Sequence, residues 1–153
     1  MSSSEIDPTA VIATLNKILE TELAGVVRYT HYSFMVYGYG RIPIVSWLRA
    51  QADESLLHAQ MAGELITGLG GHPSLEIGKL LETHKHDIGD ILRESLEHEQ
   101  ASIALYHGLR AQVEGRNLML EEYARQQIAA ESKHISEVEK MLRQPGDQGS
   151  WVC

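Results

Sequence analysis

Gln127-Ile128-Ala129-Ala130-Glu131-Ser132-Lys133-His134-Ile135-Ser136-Glu137-Val138 (residues 127–138) holds a Glu-x-x-His unit inside an apolar frame. Ile128, Ile135, Val138, Met141 and Leu142 recur around it at helical spacing. Three residues apart on a helix, the Glu131 carboxylate and the His134 imidazole share a face. That face is the one the apolar residues bury, and a buried carboxylate with no partner is costly. Glu131 therefore needs a partner group or a metal ion, and the rest of the chain must supply it.

Working outward, the same period divides the chain into four helical stretches, and no second domain or low-complexity segment is visible in residues 1–153. Asp7-Pro8 reads as a cap followed by proline at the first helical position. From there α1 (about 8–36) carries Val11, Leu15, Ile18, Leu19, Leu23, Val26 and Tyr29 on one stripe. Tyr37-Gly38-Tyr39-Gly40 breaks it, and Pro43 opens α2 (about 43–68), with Ile44, Trp47, Leu48, Ala52, Leu56, Met61, Ala62, Leu65 and Ile66. Gly68, Gly70, Gly71 and Pro73 stop that pattern. A long connection follows, with a short helical piece expected near Leu75 to Leu81. α3 (about 87–114) carries Ile88, Leu92, Leu96, Ile103, Tyr106 and Leu109. Gly115 ends it, Asn117 caps α4 (about 117–143), and residues 144–153 form a tail. Short turns make α1–α2 and α3–α4 antiparallel hairpins, and one long crossover joins them. The expected fold is all-α, an antiparallel four-helix bundle of ferritin-like arrangement, with no fifth helix.

Composition narrows the function classes. The net charge of −8 argues against a generic nucleic-acid surface and suits a protein that attracts cations. Cys153 is the sole cysteine, so no intrachain disulfide is expected, which is compatible with a reducing, cytoplasmic setting. Met1 to Asp7 is polar without an apolar run, and no stretch approaches the ~18 apolar residues of a membrane span.

Each of the other helices then offers a metal-competent side chain at mid-length. Glu22 falls on the α1 stripe between Leu15 and Tyr29, whereas Glu20 falls off it. Glu99 sits seven residues after Leu92 and seven before Tyr106, with Glu94 and Glu97 less central. His58 sits between Leu48 and Ala62 on α2. Carboxylates that neutralise two cations, with a neutral imidazole for each, are the donor set of di-iron bundles, where Glu-x-x-His units project inward. α2 departs from the pattern: three residues before His58 stands Ser55, and Glu54 is four before it. Glu54 still shares a helical face with His58 and is the expected second bridging carboxylate, ahead of Asp53. Tyr29 either packs the core or lies beside the metals. His31, His72, His84, His86, His98 and His107 read as surface or loop residues, with His84-Lys85-His86 a subordinate metal-binding option at a subunit contact. Met35, Met61, Met119 and Met141 read as gap-filling core, and Trp47 as core or interface.

With these residues in place, residues 10–142 resemble the bacterioferritin branch of the ferritin-like superfamily. Leu15-Asn16-Lys17-Ile18-Leu19 with Glu22-Leu23 and Tyr29 looks like its first helix. Gly71-His72-Pro73-Ser74-Leu75 with Ile77-Gly78-Lys79-Leu80 looks like its crossover, and Leu92-Arg93 through Glu99 with Glu131-x-x-His134 like its second half. The resemblance implies Glu22, His58, Glu99, Glu131 and His134 as ferroxidase ligands, with the bridging residue of α2 carried onto Glu54. It implies no haem, because Leu56 stands where the family has a methionine. The absent fifth helix favours a homo-oligomeric cage of 12 over 24 subunits, like the Dps group but with bacterioferritin-type centres.

The expected function is iron storage and detoxification. A ferroxidase would oxidise Fe²⁺ with H₂O₂ or O₂ at a di-iron centre made by Glu22, Glu54, His58, Glu99, Glu131 and His134, and store Fe³⁺ mineral. Two alternatives stay open. One is a rubrerythrin-like or manganese-type oxidase or peroxidase that stores nothing; the other is a Dps-like cage that protects or nicks DNA, which the −8 charge disfavours.

Overall fold

Capping residues set three of the four helix starts. In the computed structural model, which describes residues 5–80 and 83–147, the Asp7 side chain accepts from the Ala10 amide, and Pro8 opens α1 (Pro8–Met35). Asp87 accepts from the Asp90 amide at the start of α3 (Ile88–Val113), and Asn117 from the Leu120 amide at the start of α4 (Leu118–Met141). Each cap satisfies an amide that has no partner within its own helix. α2 (Arg41–Gly68) begins without a side-chain cap, two residues before Pro43, so that proline lies within the first turn, where it removes no helical hydrogen bond. The Arg41 guanidinium instead donates back to the Ser33 and Val36 carbonyls, at 3.2 and 2.6 Å, closing the end of α1.

α1 packs on α2 and on α3, and α3 on α4. Two apolar clusters fill the interior. One joins Leu15, Ile18, Ala62, Ile66, Tyr106, Leu109, Leu120 and Ala124 from all four helices; the other joins Tyr29, Tyr32, Val36, Val45, Leu48, Ala52 and Ile91. Glu22, His58 and Glu99 fall between these clusters along their helices, Glu131 follows the α4 members of the first cluster, and all four are buried. The bundle is thus two hydrophobic layers with a polar layer between them.

The crossover differs from its expected form. Residues 75–80 are not helical, and position 81 lies outside the described residues. The segment is held extended by α1. Asn16 donates to the His72 carbonyl and accepts from the Ser74 amide, at 3.2 and 2.8 Å. Gly78 donates to the Glu20 carbonyl at 2.8 Å, and Arg28 donates to the Lys79 carbonyl through Nε and Nη2. These tertiary partners take backbone groups that a local helix would have paired with each other. Two apolar expectations also change: Leu56 and Met119 are exposed. Leu56 lies off the α2 stripe, and Met119 lies in the first turn of α4, ahead of the buried Leu120. Among the described residues, no helix is long and apolar enough to cross a membrane. Cys153 and the end of the tail lie outside the described residues.

A β-carbon at Gly78 would stand 3.0 Å from the Glu20 carbonyl oxygen, a backbone atom that cannot swing away. Gly78→Ala is therefore expected to lift the crossover from α1 and cost about 1–3 kcal/mol. Gly108→Ala meets nothing within 4 Å inside α3 and should add roughly 0.5–1 kcal/mol. Urea denaturation of the two variants reads both signs, and equal effects would refute the packing argument.

Candidate metal centre

The polar layer has two halves that meet at Glu131. In the first, His58 Nδ1 lies 3.6 Å from Glu22 Oε1 and 3.8 Å from Glu131 Oε1. One ligand atom from each of Glu22, His58 and Glu131 lies within 4.8 Å of the other two, the only such convergence of three among the described residues. In the second half, His134 Nε2 lies 3.8 Å from Glu99 Oε1. Glu99 also acts on the Glu131 carboxyl, so Glu131 faces both halves.

Two tyrosines hold the outer carboxylates in a crossed arrangement. Tyr29 follows Glu22 by seven residues on α1, and its hydroxyl donates to Glu99 on α3, 3.3 Å from His134 Nε2. Tyr106 follows Glu99 by seven residues on α3, and its hydroxyl donates to Glu22 on α1 at 2.8 Å. Seven residues are two helical turns, so each helix presents a Glu and a Tyr on one face, and each Tyr reaches the other helix's Glu. Trp47 stacks on the His134 ring, with centroids 5.5 Å apart and planes 5° apart. Tyr29 thus belongs to the core and to the site at once.

Burial and crowding set the proton distribution. Glu131 is pushed up to about 11 by burial first, then by its hydrogen bond to Glu99 and by the nearby Glu99, Glu22 and Glu54 charges. Burial acts the same way on Glu99, but the hydrogen bond from Glu131, His134, the Tyr29 hydroxyl and His98 outweigh it and hold Glu99 low. The pair shares one proton, carried by Glu131. His58 is raised: burial opposes its charge, but the Glu22 hydrogen bond and the Glu22, Glu54 and Glu99 charges prevail. Burial is the largest cause that raises the Tyr29 and Tyr106 hydroxyls, followed by the charge of Glu99 and Glu22 respectively. Both phenols therefore remain hydrogen-bond donors.

The donor set fits a divalent metal. Glu131 is 6% exposed, and its Oε2 is buried with no hydrogen-bond partner. Leaving such an acceptor unsatisfied costs about 1–3 kcal/mol or more. A cation beside it removes that cost, and carboxylate oxygens with imidazole nitrogens suit first-row divalent ions.

The α2 residues arrange themselves differently from the expectation. Glu54 has a 49% exposed side chain and lies at the rim, its Oε1 3.7 Å from His58 Nε2. It is not in the group whose ligand atoms converge. Ser55 is buried instead, and its Oγ would be 2.8 Å from a β-carbon placed on Gly25, where α1 and α2 approach closely.

Two further buried groups border the site, and the first runs against its sequence reading. His98 is buried rather than on the surface, with its ring edge-on to Tyr29 and its Nε2 filling the space that Gly25 leaves open. Burial, with help from Arg28 and His134, holds its imidazole below the usual value. Glu94 is buried too, where it accepts from the Thr83 amide at 3.0 Å and from the Tyr32 hydroxyl. Of these features, the Glu99–Tyr106 spacing was a usable signal, because it repeats Glu22–Tyr29. The cavity for His98 depends on a glycine of another helix.

Comparison with known proteins agrees with this architecture. No curated protein matches the chain. Among solved structures, a ferritin-like, diiron-carboxylate protein from Bacillus anthracis str. Ames superposes with a TM-score of 0.84 at 24% identity, over 94% of this chain and 100% of that one. The bacterioferritin-related protein of Bacteroides fragilis, a dodecameric thioferritin, gives 0.84 at 22% identity, over 90% and 87%. Rhodobacter capsulatus bacterioferritin, solved with a metal-free dinuclear site and haem iron, gives 0.81 at 22%, over 90% and 86%. These identities speak for the fold. Residues 12–145 match the Ferritin family, the ferritin-like domain. With most of its length inside that match, the chain belongs to the ferritin-like family.

Proposed function

We propose that this protein is a ferroxidase of iron storage and detoxification. It would oxidise Fe²⁺ at the centre within each subunit and keep Fe³⁺ as mineral inside a hollow cage of its own copies. The observation that carries this reading is the buried, unpartnered Oε2 of Glu131 between two Glu/His halves.

Iron bound there supplies one-electron redox chemistry, with O₂ or H₂O₂ as the acceptor; one H₂O₂ takes the electrons of two Fe²⁺ and two protons to give two waters. Glu22, His58, Glu99, Glu131 and His134 provide the donors, with Glu54 beside His58 at the rim. Tyr106 and Tyr29 hold Glu22 and Glu99 in register by their hydroxyls. Glu131 gives up its proton when a cation arrives. The cage reading draws on the dodecameric thioferritin and the bacterioferritin that share the fold. Twelve subunits of 17.1 kDa make about 205 kDa, and a dimer would instead favour the non-storing oxidase. Leu56 leaves no thioether at the family's haem position, so the proposed cofactor is iron alone. The cytoplasm, where Fe²⁺ is kept reduced, is the proposed location.

Stopped-flow absorbance of Fe³⁺ formation tests the activity: the protein should accelerate Fe²⁺ oxidation over buffer, and Glu131→Ala should lower the rate by about tenfold or more. Equal rates for protein and buffer would contradict the reading.

The shared proton gives a pH test. Glu131 has a raised value in the folded state, so its contribution to stability is fully present below about 4.5, its unperturbed value, and is lost as pH rises toward about 11. His58 has the same sign, and the opposite contribution of His98 ends near its unperturbed 6.5. From about pH 7 to 9 the Glu131 proton alone should therefore cost the protein up to ~1.4 kcal/mol per pH unit, read as a falling melting temperature. Glu131→Gln should flatten that slope; an unchanged slope would refute the assignment of the proton.

A further inference from the structure

We propose that the cleft between α1, α3 and the crossover binds a small oxyanion, inorganic phosphate, through Arg28, Lys79 and Thr21. This site stands apart from the metal centre and does not depend on that reading.

The cleft has a volume of about 230 Å³, room for an ion of this size with several waters. Thr21 and Arg28 reach it from α1, Glu97 and His98 from α3, and Lys79 from the crossover. His98 also packs edge-on against Tyr29, with 6.4 Å between ring centroids. The cleft therefore borders the polar layer, but none of the proposed metal ligands is among its described lining residues.

Arg28 is the group that makes the cleft an anion site. It is 7% exposed, and a guanidinium cannot shed its charge. Of its five N–H donors, three are used: Nε and Nη2 donate to the Lys79 carbonyl at 3.3 and 2.9 Å, and Nη1 donates to the Tyr32 hydroxyl at 3.3 Å. Both acceptors are neutral. The Glu94 carboxylate stands one group further away, accepting from Tyr32. Two donors remain, one on each Nη, and such a pair suits two oxygens of one oxyanion. A buried charge met by neutral acceptors is costly, and an anion beside it offsets that cost.

The fold fixes a second cation at the same place. The Gly78 amide donates to the Glu20 carbonyl at 2.8 Å, and Arg28 grips the next carbonyl, that of Lys79. The Lys79 backbone is thus pinned at the rim of the cleft, with its side chain exposed. Thr21, half-buried on α1, adds a hydroxyl, and the exposed Glu97 is the one carboxylate among the described lining residues. Arg28 and Lys79 against Glu97 leave a positive surplus here, on a chain of net charge −8. A divalent cation is repelled from such a wall and a doubly charged oxyanion is drawn to it. The bound ion would tie α1 to the crossover, so occupancy stabilises the fold.

Inorganic phosphate itself is the probe, titrated calorimetrically into the full chain after its metal has been stripped, so that bound iron captures none of it. At constant ionic strength, one phosphate per subunit should bind with a dissociation constant of about 0.1–1 mM, and the melting temperature should rise until the site saturates. Lys79→Gln, an exposed change, should weaken binding about tenfold, and Glu97→Gln should tighten it about threefold. Arg28→Lys keeps the charge but loses the fork, and should weaken binding about tenfold or more. Acetate should bind at least about tenfold more weakly than phosphate. No saturable binding, or phosphate affinity unchanged in both Lys79→Gln and Glu97→Gln, would overturn the proposal. Acetate as tight as phosphate would overturn the choice of ion, as would tighter binding of glycerol 3-phosphate, which would make the ligand a phosphate ester. If Arg28→Lys does not fold, the two exposed variants decide. Each of these results leaves the metal-centre reading untouched, because the protein carries no metal in the test.

Discussion

Three glutamates buried in one layer, Glu22, Glu99 and Glu131, are the constraint on which the rest of this bundle depends. Removing a carboxylate from water costs several kcal/mol unless its charge is matched. Every neighbouring choice in the sequence answers that cost. Tyr106 and Tyr29 donate to Glu22 and Glu99, His58 stands between Glu22 and Glu131, and Glu131 keeps a proton. Apolar clusters above and below seal the layer. Of the oxygens of these three glutamates, only Glu131 Oε2 is buried without a hydrogen-bond partner, and a cation beside it would satisfy it.

The crossed tyrosines tie the polar layer to the packing of the protein itself. Glu-x₆-Tyr on α1 and Glu-x₆-Tyr on α3 are the same two-turn unit, and each tyrosine ties down the other helix's carboxylate. Because Tyr29 and Tyr106 are also large members of the two apolar clusters, the packing that stabilises the bundle fixes the hydroxyls that orient the ligands. Stability and site geometry therefore share residues, and a change at either tyrosine would affect both.

How far the sequence alone reached follows from what each signal depends on. The four helices and the inward positions of Glu22, His58, Glu99 and Glu131 follow from periodicity, which is local. The crossover does not: Leu75 to Leu80 look helical by composition, but Asn16, Glu20 and Arg28 of α1 take their backbone partners. His98 is buried because Gly25, on another helix, leaves room for its ring. Glu54 illustrates the finest limit. Helical spacing places it on the same face as His58, yet one residue step decides whether a carboxylate stands before an imidazole or behind it. Ser55 is the departure that matters on α2, and its meaning emerges only from the contacts around it.

The most direct measurement of the central claim is anomalous diffraction at the iron edge on crystals soaked anaerobically with Fe²⁺. The account predicts a peak within the buried layer, in contact with Glu131 and between Glu22 and His58. An iron-soaked crystal with no peak in that layer, or with iron only on exposed acidic side chains, would contradict it.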